Sequence, residues 1–174
     1  MKNLAILFLC FLFVTTLSAQ NGKFQMAMGK ALGGGVLPIA ACLARHDLNV
    51  VGEQAYGHYT HEKNPVTAAA ALATLEVIER EGLVGNAARV GAQALARLHE
   101  MKRRHPLIGD VRGRGLLLGL ELVQDRQSKA PAGAVAERVL YRALSRGLSF
   151  KTTMGNVLTL TPPLIVTLQQ MHQA

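Results

Sequence analysis

The 174-residue sequence contains no tryptophan, and aromatic residues make up only 5% of it. Proteins that bind single-stranded nucleic acid by stacking place aromatic rings beside basic groups. The sequence also lacks any known nucleic-acid-binding motif, so we expect no nucleic-acid partner despite the net charge of +8. Anionic small molecules and anionic membrane surfaces are the other partners that such a charge favours.

Cysteine is scarce as well, with Cys10 and Cys42 as the two examples. If the first twenty residues are removed, Cys42 remains alone and cannot form an intramolecular disulfide. This excludes a disulfide-stabilised scaffold. Because Cys42 lies within an apolar stretch, we expect a buried structural cysteine rather than a nucleophile.

No apolar run reaches the roughly 20 residues that a transmembrane helix needs. The run from Leu4 to Val14 is shorter, with Lys2 before it and the small residues Ser18 and Ala19 after it. This layout is typical of a secretory signal peptide and predicts one over residues 1–20. A buried N-terminal helix or strand is the alternative interpretation. We therefore expect no membrane contact beyond a signal-like segment.

Several signatures of catalytic and metal sites are missing. The sequence has no G-x-S-x-G motif for a serine nucleophile. In "HYTHE", His58 and His61 do not have the spacing of helical zinc ligands, so no metal is predicted. A phosphate-binding P-loop places its glycines before Gly-Lys-Ser/Thr. Here Lys30 precedes Gly33–Gly35 and is followed by Ala31, and this order excludes a P-loop.

Lys30 remains as a candidate covalent amine. A free lysine is protonated below about pH 10.4 and is then a poor nucleophile. Partial burial lowers its charge and allows it to form a Schiff base with an aldehyde, for which pyridoxal phosphate is the common biological partner. The glycines that follow would let a flat cofactor approach the backbone. From the residues alone, a solvated surface lysine is the alternative.

Periodicity and turn residues predict a mixed chain of helices and strands. An apolar stretch predicts a buried strand, and Asn64 followed by Pro65 predicts the N-cap and first residue of a helix that ends at Gly82. Such a mixture favours an α/β region followed by an α+β region. The predicted strands lie at 36–43, 108–112, 116–123, 148–152 and 156–161, the predicted helices at 65–81, 84–104 and 132–146, and a further helix begins after residue 167.

Four motifs, in order, resemble the C-terminal part of the class III aminotransferases, the fold-type I pyridoxal-phosphate enzymes that include ornithine aminotransferase. They are "GKALGGGVLPIAA", "GHYTHEKNPVTAAAALATLEVI", "IGDVRGRGLLLGLEL" and "NVLTLTPPLIVT", and the resemblance covers roughly residues 26–167. It implies an α/β fold, in which a C-terminal remnant of the fold-type I large domain is followed by the α+β small domain. The implied boundaries are 1–20 for the signal-like segment, 21–83 for the partial large domain and 84–174 for the linking helix and small domain.

The resemblance also implies roles for individual residues. Lys30 matches the catalytic lysine that holds pyridoxal 5'-phosphate as an internal aldimine and carries protons. Thr60 matches a threonine that hydrogen-bonds the cofactor phosphate across a dimer interface, which implies a homodimer. Many relatives carry a carboxylate-binding arginine in the closing strand, where this chain has Thr159. This favours an amine, an ω-amino acid or an amino-phosphonate or amino-phosphate as substrate, with Lys151 as a candidate for binding its anionic end.

The activity that the resemblance implies is amino-group transfer from an amine, ω-amino acid or similar donor to an oxo acid. One alternative is a pyridoxal-phosphate-dependent lyase that acts on amino-phosphonates or amino-phosphates. Another is a truncated, catalytically incompetent fragment, because no residue here matches the family's segments before the cofactor lysine. A third is an exported basic binding protein that reuses the small domain. The family implies a cytoplasmic location, whereas the signal-like segment leaves export open.

Overall fold

The computed structural model describes residues 25–28, 30–44, 47 and 64–173. The chain divides into two compact units between Glu81 and Gly82. The predicted signal-like segment lies outside the described residues, and the predicted domain boundaries stay a prediction. Within the part of the chain that the structure describes, no helix combines the length and apolar character needed to cross a membrane.

The first unit contains a short antiparallel strand pair. Strand β1, Gln25–Met28, pairs with strand β2, Ala41–Ala44. Between them, one turn of 3-10 helix spans Lys30–Gly33, and we call it the Lys30 turn. The predicted buried strand over 36–43 is wrong in its first half, since Val36 is 85% exposed and the strand begins only at Ala41. The physical reason is the two glycines before Val36, which turn the chain at positive φ.

Helix α1, Pro65–Arg80, completes the described part of this unit. It begins as the sequence predicts. The side chain of Asn64 accepts a hydrogen bond from the backbone N–H of Val66 at 2.9 Å, and Pro65 occupies the first helical position, where its missing N–H costs nothing. The helix ends at Arg80, and the N–H of Glu81 closes its last turn on the carbonyl of Val77 at 3.0 Å.

The second unit is built on a four-stranded antiparallel sheet. Its strands are β3, Ile108–Arg114, β4, Leu117–Leu122, β5, Lys151–Thr153, and β6, Val157–Leu160. Their order across the sheet is β3-β4-β6-β5. Each predicted strand in this unit is therefore present, with ends that differ by up to three residues from the prediction.

Helices α2, Leu83–Arg104, and α3, Gly133–Leu144, supply residues to the core on one face of this sheet. Leucines of α2 and Val135 of α3 pack against side chains that point inward from the strands. The alternation along β4, where every second residue is buried, follows from the two-residue period of a strand with one covered face. The buried core comprises Ile108, Val111, Leu120, Leu122, Ala132, Ala136 and Leu158.

Helix α2 approaches the turn between β3 and β4 very closely. A Cβ built on Gly91 would lie 2.0 Å from the carbonyl oxygen of Gly115. Real Cβ atoms do not approach an oxygen so closely, so glycine is required at position 91 for this packing. Gly115 itself has a φ of 55°, the left-handed conformation that glycine adopts without a Cβ clash.

The C-terminal end of α2 is capped by a side chain from the loop after β4. The guanidinium of Arg126 donates to the carbonyl oxygens of Lys102 and His105, the latter at 3.0 Å, and to that of Ile108 at 3.1 Å. A cation at this end complements the helix dipole and satisfies carbonyls that lack partners within the helix.

The last segment returns to the first part of α2. The side-chain amide of Asn86 donates to the carbonyls of Leu164 at 2.7 Å and Val166 at 3.0 Å. The short helix α4, Leu168–Gln173, follows, as the sequence predicts. A second, smaller apolar cluster joins this segment to α2 and the β3–β4 turn. Its members are Ala87, Val90, Leu116, Leu164, Val166, Leu168 and Met171.

Candidate functional site

Lys30 is the first residue of the Lys30 turn, which follows β1. The backbone after it is tightly hydrogen-bonded. The carbonyl of Ala31 accepts from the N–H of Gly34 at 3.0 Å, and the carbonyl of Gly33 accepts from the N–H groups of Val36 at 3.4 Å and Leu37 at 3.3 Å. The candidate lysine is therefore the first residue of a compact turn with a defined hydrogen-bond pattern.

Structural features favour glycine at each of the three positions 33, 34 and 35 after the lysine. Gly33 is buried, and a Cβ there would lie 3.1 Å from Cγ2 of Ile39. Gly34 and Gly35 have φ values of 73° and 79°, which disfavour any side chain. Among the described residues, a Cβ on Gly35 would meet nothing within 4 Å. Within the described part of the chain, the space beside Gly35 is thus open.

Gly34 rests against helix α1. A Cβ built on it would lie 3.0 Å from Oγ1 of Thr74, the only described atom within 4 Å outside the neighbouring residues. The Thr74 hydroxyl is itself fixed, because it donates to the carbonyl of Ala70 at 2.7 Å. Sequence analysis missed this residue, since a threonine within an alanine-rich helix carries no signal that it faces a distant glycine.

In the second unit, the sheet face opposite the helices carries polar residues in register. Arg112 is opposite Gly119, Gly119 is opposite Thr159, and Thr159 is opposite Lys151. One cross-strand row therefore runs through all four strands. The hydroxyl of Thr159 lies 2.8 Å from that of Thr153, and either can be the donor. The strand pairing brings Lys151 beside Thr159. At the position of Thr159, the family resemblance leads one to expect an arginine that binds the substrate's carboxylate.

Arg112 is already engaged by carboxylates. Its Nη1 lies 2.7 Å from Oε2 of Glu121 and 3.0 Å from Oδ2 of Asp110, and these hydrogen bonds raise the pKa of the guanidinium. Burial would raise the pKa of Asp110, but hydrogen bonds from Arg112 and Lys102 outweigh it and hold that pKa below its usual value. Within the described part of the chain, Lys151 has no such carboxylate partner, and it is exposed.

Other candidates from the sequence have different outcomes. Cys42 is exposed, so the expectation of a buried cysteine is wrong. The reason is that β2 is a short strand whose only described partner is β1, and no described layer covers the face that carries Cys42. Thr60, His58 and His61 lie outside the described residues. Over the described ranges, no three histidine, cysteine, aspartate or glutamate side chains come together as a metal site.

Comparison with known proteins decides the family. The sequence model of the family described as "Aminotransferase class-III" matches residues 25–174. The chain belongs to the class III aminotransferases. Its mixed helix-and-sheet fold is that of a partial region of the fold-type I enzymes, as the four motifs predict.

Individual relatives agree with this assignment. The chain is 47% identical over 149 residues to the (R)-1-hydroxy-2-aminoethylphosphonate ammonia-lyase of Vibrio splendidus, which covers 86% of the chain and 31% of the relative. It is 42% identical over 149 residues to the isoleucine 2-epimerase of Lentilactobacillus buchneri, covering 86% of the chain and 33% of the relative. The chain thus spans about a third of the length of these relatives.

A solved structure supports the same fold. It is an amine transaminase from an uncultivated Pseudomonas species in its pyridoxal-phosphate-bound form, with a TM-score of 0.78 and 32% sequence identity. The match covers 85% of the chain and 35% of the transaminase. Members of one family therefore carry names of a transaminase, an epimerase and an ammonia-lyase, so family membership alone leaves the reaction open.

Proposed function

We propose that this chain serves pyridoxal-phosphate-dependent chemistry on an amino group, as an aminotransferase that moves the amino group of an amine or ω-amino acid to an oxo acid. The observation that carries the proposal is the family match over residues 25–174, which includes the motif of the candidate cofactor lysine. Because the chain spans about a third of its relatives, the proposal concerns the part of the active site that this chain carries.

The residues around Lys30 fit a group that is held through an amine. Lys30 starts a turn whose following glycines lack side chains, and the space beside Gly35 is open in the described structure. Pyridoxal phosphate, when bound, supplies an electron sink for the charge that develops on the carbon beside the substrate's amino group. In this proposal Lys30 holds the cofactor, and its Nζ carries the proton to and from the substrate. Thr60 binds the cofactor phosphate across a homodimer interface.

Absorption spectroscopy tests the proposal. The purified chain is mixed with pyridoxal phosphate, and the visible band of a lysine-bound cofactor is compared with that of Lys30→Ala. Lys23→Ala is the matched control, because it removes the same amine elsewhere in the chain. We expect the band in the unmodified chain and in the control and its loss in Lys30→Ala. A band that persists in Lys30→Ala, or no band in any variant, overturns the assignment of Lys30.

A second candidate function is elimination of ammonia from an amine with an anionic phosphonate group. Two observations favour it. The ammonia-lyase of Vibrio splendidus is 47% identical to the chain over 149 residues, and the row of residues on the open sheet face puts Lys151 opposite Thr159. In this proposal the ammonium of Lys151 binds the phosphonate, with help from the hydroxyls of Thr153 and Thr159.

The two reactions have different requirements. An aminotransferase needs an oxo acid to accept the amino group, whereas a lyase releases free ammonia without an acceptor. Ammonia is therefore measured with 1-hydroxy-2-aminoethylphosphonate, with and without pyruvate. Its hydroxyl lies on the carbon next to the one that bears the amino group and can leave as water, and hydrolysis of the resulting enamine releases ammonia. Ammonia release without pyruvate that falls in Lys151→Gln supports the lyase. Amino transfer that requires pyruvate and no free ammonia supports the aminotransferase.

A further inference from the structure

Thr74 lies in the helical part of the second family motif and faces the segment that follows Lys30, and the resemblance assigns it no role. We propose that Thr74 is a positioning residue, which fixes the backbone of the Lys30 turn and so the place from which the Lys30 amine reaches the cofactor. This inference rests on the proposed role of Lys30. It concerns residues of the first unit alone.

The contact is close and directional. Oγ1 of Thr74 lies 3.0 Å from the place of a Cβ on Gly34, and no other described atom outside the neighbouring residues comes within 4 Å of that place. Thr74 Oγ1 is therefore the described atom that a side chain at position 34 would meet first. A distance of 3.0 Å is tighter than most real Cβ contacts, so a methyl group added to Gly34 would force its neighbour to shift by a few tenths of an ångström.

The hydroxyl is held in place from the other side. Thr74 Oγ1 donates to the carbonyl of Ala70, one turn earlier in α1, at 2.7 Å. This bond selects one rotamer of a β-branched side chain whose χ1 is already restricted. The oxygen that faces Gly34 is therefore part of a rigid helix, and the side chain cannot simply swing away.

The contact is transmitted to Lys30 through the backbone. Gly34 donates its N–H to the carbonyl of Ala31 at 3.0 Å, and Ala31 directly follows Lys30 within the same turn. Gly34 has a φ of 73°, which glycine adopts without a Cβ clash, and its hydrogen bond to Ala31 ties its position to that of the Lys30 turn. A displacement of Gly34 therefore moves the turn as a unit. Misplacement of a reacting group by about 1 Å is enough to cost about 100-fold in rate.

Three substitutions separate positioning from general stability. Thr74→Ser keeps the oxygen and its hydrogen bond, Thr74→Val replaces the oxygen by a methyl group, and Thr74→Leu pushes a longer side chain toward Gly34. Thr67→Val is the matched control, since Thr67 also donates from its hydroxyl to a backbone carbonyl of the same helix segment, that of Asn64, at 3.0 Å. No atom of Thr67 lies within 4 Å of a Cβ on Gly34.

Two properties of the full chain are measured for each variant: its affinity for pyridoxal phosphate, and the pH at which the Lys30-dependent absorption band titrates. Thermal unfolding followed by circular dichroism checks that each variant is folded. We expect Thr74→Leu to weaken cofactor binding by about tenfold or more and to shift the titration. Thr74→Val should weaken cofactor binding by an intermediate amount. The cofactor affinities of Thr74→Ser and Thr67→Val should stay within about twofold of that of the unmodified chain.

The outcomes are distinguishable. If the unmodified chain shows no Lys30-dependent band, the proposed function of Lys30 fails. If that band is present and a folded Thr74→Leu variant keeps both the affinity and the titration of the unmodified chain, Thr74 has no positioning role. Equal losses in Thr67→Val and Thr74→Val, with no change of the titration in either, show an effect of helix stability alone and also overturn the inference. If Thr74→Leu does not fold, the comparison of Thr74→Val with Thr67→Val decides.

Discussion

Replacement of Gly91 by alanine should destabilise the second unit more than its single added methyl group suggests. The new Cβ would lie 2.0 Å from the carbonyl oxygen, 2.2 Å from the carbonyl carbon and 2.7 Å from the Cα of Gly115. All three are backbone atoms, so no side chain can rotate out of the way. A normal contact between this Cβ and the carbonyl oxygen needs about 3.4 Å or more, whereas the built distance is 2.0 Å. Helix α2 must therefore move away from the β3–β4 turn by about 1.4 Å.

Such a movement opens the small apolar cluster that contains the fully buried Val90 and Leu116. Overpacking of a core typically costs about 1–3 kcal/mol, and we expect the upper end here, about 3 kcal/mol, because the backbone itself must shift. Gly85 is the matched control in the same helix. A Cβ there would meet nothing within 4 Å among the described residues, so Gly85→Ala should stabilise the helix by about 0.5 kcal/mol through propensity.

Urea denaturation of the two variants, followed by circular dichroism, measures this difference. The structure predicts a lower midpoint for Gly91→Ala and an equal or higher midpoint for Gly85→Ala. A Gly91→Ala variant as stable as the unmodified chain would refute the close approach of α2 to Gly115. A large loss in both variants would show instead that alanine is unfavourable in this helix for a reason other than the contact.

Two further predictions concern the cap of α1 and the ion pairs on the open sheet face. Asn64→Ala removes the side-chain acceptor for the N–H of Val66 and should cost about 1 kcal/mol in unfolding free energy; a cost near zero in urea denaturation contradicts the cap. Since the pKa of folded Asp110 lies below the unfolded value of about 3.9, its stabilisation is present at neutral pH and is lost as the pH falls through the folded pKa. Asp110 is half exposed, so Asp110→Asn should cost less than about 1 kcal/mol at pH 7 and almost nothing once the pH is below the folded pKa of Asp110; a cost that grows toward low pH contradicts the ion pairs with Arg112 and Lys102.

Local rules predicted much of this fold from the sequence. The Asn64–Pro65 start of α1 follows from capping and from the tolerance of the first helical position for proline. The strands of the second unit follow from alternation and glycine turns, and the four motifs between residues 26 and 167 place the chain in its family. These features depend on residues that are neighbours in the chain, which is why sequence reasoning finds them.

Features that depend on distant contacts were missed. The predicted buried strand over 36–43 is wrong in its first half and in its burial, because apolar character does not ensure burial: Val36 and Cys42 are both exposed. The approach of Gly91 to Gly115 and that of Thr74 to Gly34 join residues 24 and 40 positions apart in the numbering. The row that places Lys151 in line with Thr159 requires the strand register, which no local pattern specifies.

The proposed function depends above all on Lys30 as the residue that binds pyridoxal phosphate. The most direct measurement is to treat the chain with pyridoxal phosphate, reduce it with borohydride, digest it and locate the modified lysine by mass spectrometry. We expect a phosphopyridoxyl group on the peptide that contains Lys30 at stoichiometric cofactor, with little on the other lysines. Modification spread evenly over the lysines, or concentrated on another one such as Lys129, would contradict it.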